Sequence, residues 1–97
     1  MKFKDEDGAK LGDYVQTERY GYQGRVCAKH HSFKDTGLTQ DWFDSQQISF
    51  RGSSVNESWY SILVRDGGSV LVPEKSITEM LEPFELNNPW ESYYFNK

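Results

Sequence analysis

The sequence predicts a mainly β fold: a small, strongly bent barrel of about five strands with a long insertion loop and a docked aromatic C-terminal tail. Three observations carry that prediction. Short runs of β-forming residues recur between glycine-containing turns, at Tyr14–Thr17, Arg25–His31, Trp59–Arg65 and Ser69–Pro73. Asp66-Gly67-Gly68 separates two of these runs, which is the turn chemistry of a hairpin. No stretch has the length and 3.6-residue period of a long helix. With 97 residues the chain makes one domain, burying roughly 60–65% of its unfolded surface. Hydrophobic residues are 36% of the chain but aromatics 15%, so the core is built from a few large rings.

Residues 1–10 are charged and read as a flexible arm, leaving residues 11–97 as the single domain. Leu11-Gly12-Asp13 signals a turn into the first strand, Tyr14–Thr17. The glycines of Tyr20-Gly21-Tyr22-Gln23-Gly24 supply positive φ for a tight connection. Arg25 to His31 then alternates Val26, Ala28 and His30 against Arg25, Cys27, Lys29 and His31, a two-residue period. From Ser32 to Asn56 the pattern weakens. Thr39 to Asp44 fits one helical turn with Thr39 as N-cap, and Ile48-Ser49-Phe50 fits a short strand. Trp59–Arg65 and Ser69–Pro73 form the central hairpin, and Pro73 ends its second strand because it lacks a ladder donor. Glu74 to Ile77 reads as a 3₁₀ or single turn. The expected core is Trp59, Ile62, Val64, Val70 and Val72 with Val15, Val26 and Ala28. In the tail, Asn88 and Pro89 suit a helix cap and first helical position, and Trp90, Tyr93, Tyr94 and Phe95 are too many rings to leave in water. At this length an SH3-like barrel is the common solution for such a set of strands.

Charge and cysteine content narrow the function classes. A net charge of -4 argues against a general phosphate-backbone binder, which needs clustered cations. One cysteine excludes an internal disulfide and a multi-thiolate metal site, and places the chain by default in a reducing cytoplasm. No apolar run reaches the roughly 18 residues of a membrane span.

Gly12-Asp13-Tyr14-Val15 through Tyr20-Gly21-Tyr22-Gln23-Gly24-Arg25-Val26, then Trp59-Tyr60-Ser61-Ile62-Leu63-Val64, then Ser69-Val70-Leu71-Val72-Pro73-Glu74 occur in an order that resembles the hemimethylated-DNA-binding, heat-shock-protein-Q-like family. The closing Tyr94-Phe95 is similar to the end of its longer members, and Gly24-Arg25-Val26 resembles KOW-type SH3-like barrels. The rest is similar to small bacteriophage proteins. The chain differs from the family pattern in its Asp66-Gly67-Gly68 hairpin and in the segment Gly37 to Asn56. The resemblance implies a small barrel and binding to DNA.

Among candidate sites, Arg19, Tyr20, Tyr22 and Arg25 place rings beside guanidinium groups around one glycine turn, a combination that stacks on nucleobases or peptide side chains. Trp42 and Phe43 fit either a hydrophobic anchor for a partner or a plug for an open barrel end. Cys27, His30 and His31 make a poor metal or catalytic set. On a regular strand the pleat separates Cys27 from His30, and Cys27 lies about 13 Å from His31. Asp5, Glu6 and Asp7 read as an acidic tether. Nothing assembles a nucleophile, a base and an oxyanion site, so the expectation is a non-enzymatic binding module without cofactor or metal. Its leading partner is a protein, bound through Tyr20, Tyr22, Trp42 and the tail; the alternative partner is DNA.

Overall fold

The computed structural model describes residues 8–18, 21–45 and 55–95. Five strands, β1 (Tyr14–Thr17), β2 (Gln23–His30), β3 (Trp59–Val64), β4 (Ser69–Pro73) and β5 (Ile77–Leu81), form one antiparallel sheet in the order β4-β3-β2-β1-β5. Two short helices, α1 (Gln40–Ser45) and α2 (Trp90–Phe95), and 3₁₀ turns at Phe33–Thr36 and Glu74–Ser76 complete a small barrel-like fold.

Local chemistry places most of these elements. Gly67 and Gly68 both take positive φ, and the Val64 and Gly68 backbones close the hairpin with an N···O distance of 3.1 Å. Thr39 caps α1, its hydroxyl accepting from the Trp42 amide at 3.2 Å. Gly24 serves a different purpose from the one its sequence context implies. Its φ is not positive, and a Cβ there would run into the Leu63 carbonyl, so it lets β2 and β3 approach closely.

The fifth strand is not the expected one. Ile48–Phe50 lies outside the described residues, and β5 instead follows the 3₁₀ turn at Glu74–Ser76. Its sequence pattern is masked by a register shift: Thr17 pairs with Ile77 but Gln16 with Glu79. That bulge lets Ile77 and Met80, three apart, both reach the core, so a two-residue period does not show.

The sheet is buried on both faces. On the inner face Ala9, Val15, Val26, Tyr60, Ile62, Val72 and Ile77 form one cluster, with Val70 and Met80 packed against it. On the outer face Cys27, Leu63 and Leu86 pack with Phe84 and Phe95, while Phe33, Phe43 and Trp59 pack with Trp42, Val55 and Leu71. Of the expected core, Val64, Val70 and Ala28 are only half-buried, and Trp59 sits on the face opposite Ile62. The near-continuous run Trp59 to Val64 is the signature of a strand covered on both sides. The tail and the insertion are what cover its second side.

Asn88 pins the tail. Its amide nitrogen donates to the Val64 and Gly68 carbonyls at 3.0 and 2.9 Å, and its side-chain oxygen accepts from the Trp90 amide at 2.9 Å. One residue therefore ties the β3–β4 hairpin to the start of α2, with Pro89 between them.

Candidate functional site

Arg25 projects from β2 onto the outer face and is engaged on every side. Its Nε donates to the Gly12 carbonyl at 3.2 Å, and Nη1 pairs with Glu91 of α2 at 3.2 Å. Its guanidinium lies 3.7 Å from the Phe95 ring centroid and 5.2 Å from that of Tyr14. Tyr14 in turn meets Phe84 edge-on at 4.9 Å, and Phe84 carries the guanidinium of Arg65 at 4.3 Å. Two cations and three rings thus form one continuous run, Arg65–Phe84–Tyr14–Arg25–Phe95, that binds the tail to the sheet. The sequence shows the rings and the arginines but not that they interleave, because the partners come from four separate segments.

Tyr22 goes elsewhere. It precedes β2 at the rim, where its amide donates to Thr17 Oγ1 at 3.0 Å. Together with Gly21, Gln23, Val64, Arg65 and Asp66 it lines a rim cavity of about 350 Å³. Of the expected cluster, then, Tyr22 lines the rim cavity that Arg65 also lines, while Arg25 turns to the tail. Arg19 and Tyr20 lie outside the described residues. Arg65 was not singled out from the sequence; its place next to the Asp-Gly-Gly turn, across the ladder from the aromatic-glycine turn, is the signal that would have found it.

Trp42 stacks on Phe33 with ring centroids 5.7 Å apart and meets Trp59 at 6.4 Å. With the buried Phe43 it closes one end of the outer face. A second cavity, of about 310 Å³, is lined by Cys27, Ser61, Leu63, Ser69, Trp90 and Tyr94. A bulge in β2 between Val26 and Ala28 brings Cys27 and His30 to the same residue: Cys27 Sγ donates to the Ser61 carbonyl at 3.4 Å, and His30 Nε2 lies 3.1 Å from Ser61 Oγ. The bulge cancels the pleat that separates them in a regular strand. Burial pushes the Cys27 thiol up from its ordinary range, so it stays protonated and poorly nucleophilic. Among the described residues no group of three or more His, Cys, Asp or Glu is placed to hold a metal ion. No described helix is long and apolar enough to cross a membrane.

While the tail docks through Phe84, Leu86, Asn88 and Phe95, it leaves Trp90, Tyr93 and Tyr94 exposed at 54%, 63% and 42%. Trp90 meets Tyr93 edge-on at 5.7 Å, and Tyr93 meets Tyr94 at 5.0 Å. These rings form a row on α2 beside the second cavity.

No curated protein and no solved structure matches the chain. A family model described as "Hemimethylated DNA-binding protein YccV like" matches residues 10–97, from the turn before β1 through the whole docked tail. That span takes in the barrel, the insertion and α2 together, and the chain belongs to the YccV-like family of hemimethylated DNA-binding proteins.

Proposed function

We propose that the protein is a non-enzymatic DNA-binding module whose ligand is duplex DNA of the hemimethylated class. The observation that carries this reading is membership of that family over residues 10–97. The non-enzymatic part of the reading follows the family, whose description is that of a DNA-binding protein. With a net charge of -4 the protein engages few phosphates, so its affinity falls less steeply with salt than that of a strongly basic binder. Fluorescence anisotropy on one duplex sequence in hemimethylated, fully methylated and unmethylated forms tests this directly. The hemimethylated form binds tightest, and all three weaken as salt rises. Absence of binding to every form at low ionic strength removes the DNA reading.

A second reading, a protein partner, is favoured by the exposed row Trp90, Tyr93 and Tyr94. Exposed aromatics clustered on one helix are the residue types of interface hot spots. Co-purification with wild-type protein and a Trp90→Ser/Tyr93→Ser double variant tests it. A partner retained equally by both refutes a role for these rings.

A further inference from the structure

Resting on the DNA-binding reading, we infer that the rim cavity between the β1–β2 connection and the β3–β4 hairpin seats a phosphodiester group of the duplex, with Arg65 as its cation. Of the arginines among the described residues, Arg25 has its guanidinium used by Gly12, Glu91 and two rings. Arg65 is exposed, and among the described residues its side chain meets Gln23 Oε1 at 3.1 Å and the face of Phe84. One edge of the guanidinium is held in place, and the remaining donors meet no acceptor among the described residues. A planar fork with free donors is the group that pairs with two phosphate oxygens at once.

The site is pre-organised from below. The Arg65 amide donates to the Gln23 carbonyl at 2.9 Å, fixing the backbone under the side chain. Gln23 Nε2 donates onward to Gln16 Oε1 at 3.1 Å, so the acceptor that orients Arg65 is itself oriented. Access is open as well. Gly21, Gly67 and Gly68 flank the rim, and a Cβ at any of them would meet none of the described residues within 4 Å. Three neighbouring positions without side chains let a bulky backbone come close to the guanidinium. Tyr22 supplies a wall, and about 350 Å³ accommodates a phosphodiester with water.

Asp66 lines the same cavity and opposes an anion. Its presence gives the inference a signature that a diffuse charge effect does not share. Neutralising Asp66 tightens binding, and neutralising Arg65 weakens it, at one site.

The test is anisotropy on a hemimethylated duplex with wild-type protein, Arg65→Ala, Arg65→Lys, Asp66→Asn and, as a control, Lys34→Ala. Lys34 is exposed, lies on the 3₁₀ turn at Phe33–Thr36, and its loss changes net charge as much as the loss of Arg65. Arg65→Ala weakens binding about tenfold and lowers the slope of log K against log salt by about 1. Arg65→Lys keeps the slope and recovers part of the affinity. Asp66→Asn tightens binding severalfold, and Lys34→Ala changes it less than about twofold. Circular dichroism checks that each variant is folded; Asp66→Asn and Arg65→Lys alter an exposed turn without truncating it and carry the test if Arg65→Ala does not fold. Wild-type binding with Arg65→Ala and Lys34→Ala alike, or with Asp66→Asn unchanged, overturns the rim site while leaving the DNA reading intact. No binding by wild-type protein overturns the DNA reading itself.

Discussion

Replacing Asn88 by alanine removes three hydrogen bonds from a residue that is only 6% exposed. Losing the cap on α2 costs about 1–2 kcal/mol. The Val64 and Gly68 carbonyls each lose the Asn88 amide but keep a backbone donor, Gly67 and Val64 respectively, at 3.1 Å. Their loss therefore falls near the low end of a hydrogen bond's contribution, about 0.5–1 kcal/mol each. The sum is about 2–4 kcal/mol, a fall in melting temperature of roughly 10–25 °C for a domain of this size. Thermal and urea unfolding followed by circular dichroism measure it. Asn88→Asp sharpens the argument, because it keeps the capping acceptor but replaces the donor with an oxygen facing two carbonyls. Because the Val64 and Gly68 carbonyls face that oxygen, the charged form is disfavoured in the folded state, and the expected outcome is that the carboxyl binds a proton more readily there than in the unfolded chain. The Asp variant is therefore destabilised at neutral pH and recovers stability as pH falls toward 4, opposite to a salt-bridged carboxylate. An alanine variant within 0.5 kcal/mol of wild type, or an Asp variant with no gain on acidification, refutes the claim that Asn88 ties the tail to the hairpin.

Arg25→Ala removes a partly exposed ion pair and two ring contacts; stability falls by about 1–2 kcal/mol and amide exchange quickens in residues 90–95, while Arg25→Lys rescues little because an ammonium does not stack. Protection in those residues equal to wild type would show that α2 is held without Arg25. The Tyr60 phenol is pushed up to about 12, by burial first and then by the Glu74 carboxylate that accepts its hydrogen bond at 3.2 Å. Above pH 10 the unfolded chain ionises this phenol while the folded protein does not. Stability therefore drops by up to about 2–3 kcal/mol between pH 10 and 12. In Tyr60→Phe this component of the alkaline loss disappears, and an unchanged pH profile refutes the assignment. Leu63→Ala, on the outer face at 1% exposure, costs about 2–4 kcal/mol by denaturant unfolding; a loss under 1 kcal/mol would mean that the tail does not seal this face.

Features that neighbouring residues decide together are legible in the chain. Asp66-Gly67-Gly68 specifies its hairpin because only glycine takes both positive-φ positions without strain. Thr39 and Asn88 announce the starts of α1 and α2 because a cap acts on amides two or three residues away. The order of the motifs around β1 to β4 was enough to point to the family. The remaining features depend on segments distant in the chain coming together. Bulges opposite Gln16–Thr17 and at Cys27 erase the two-residue period, hiding β5 and bringing Cys27 and His30 together on Ser61. Which arginine is engaged and which is open also depends on distance in space. Arg25 meets Glu91 from 66 residues away, and Arg65 meets Gln23 from 42. Local backbone preference reaches a few residues along the chain; the destination of a long charged side chain is set by the segment the fold lays over it.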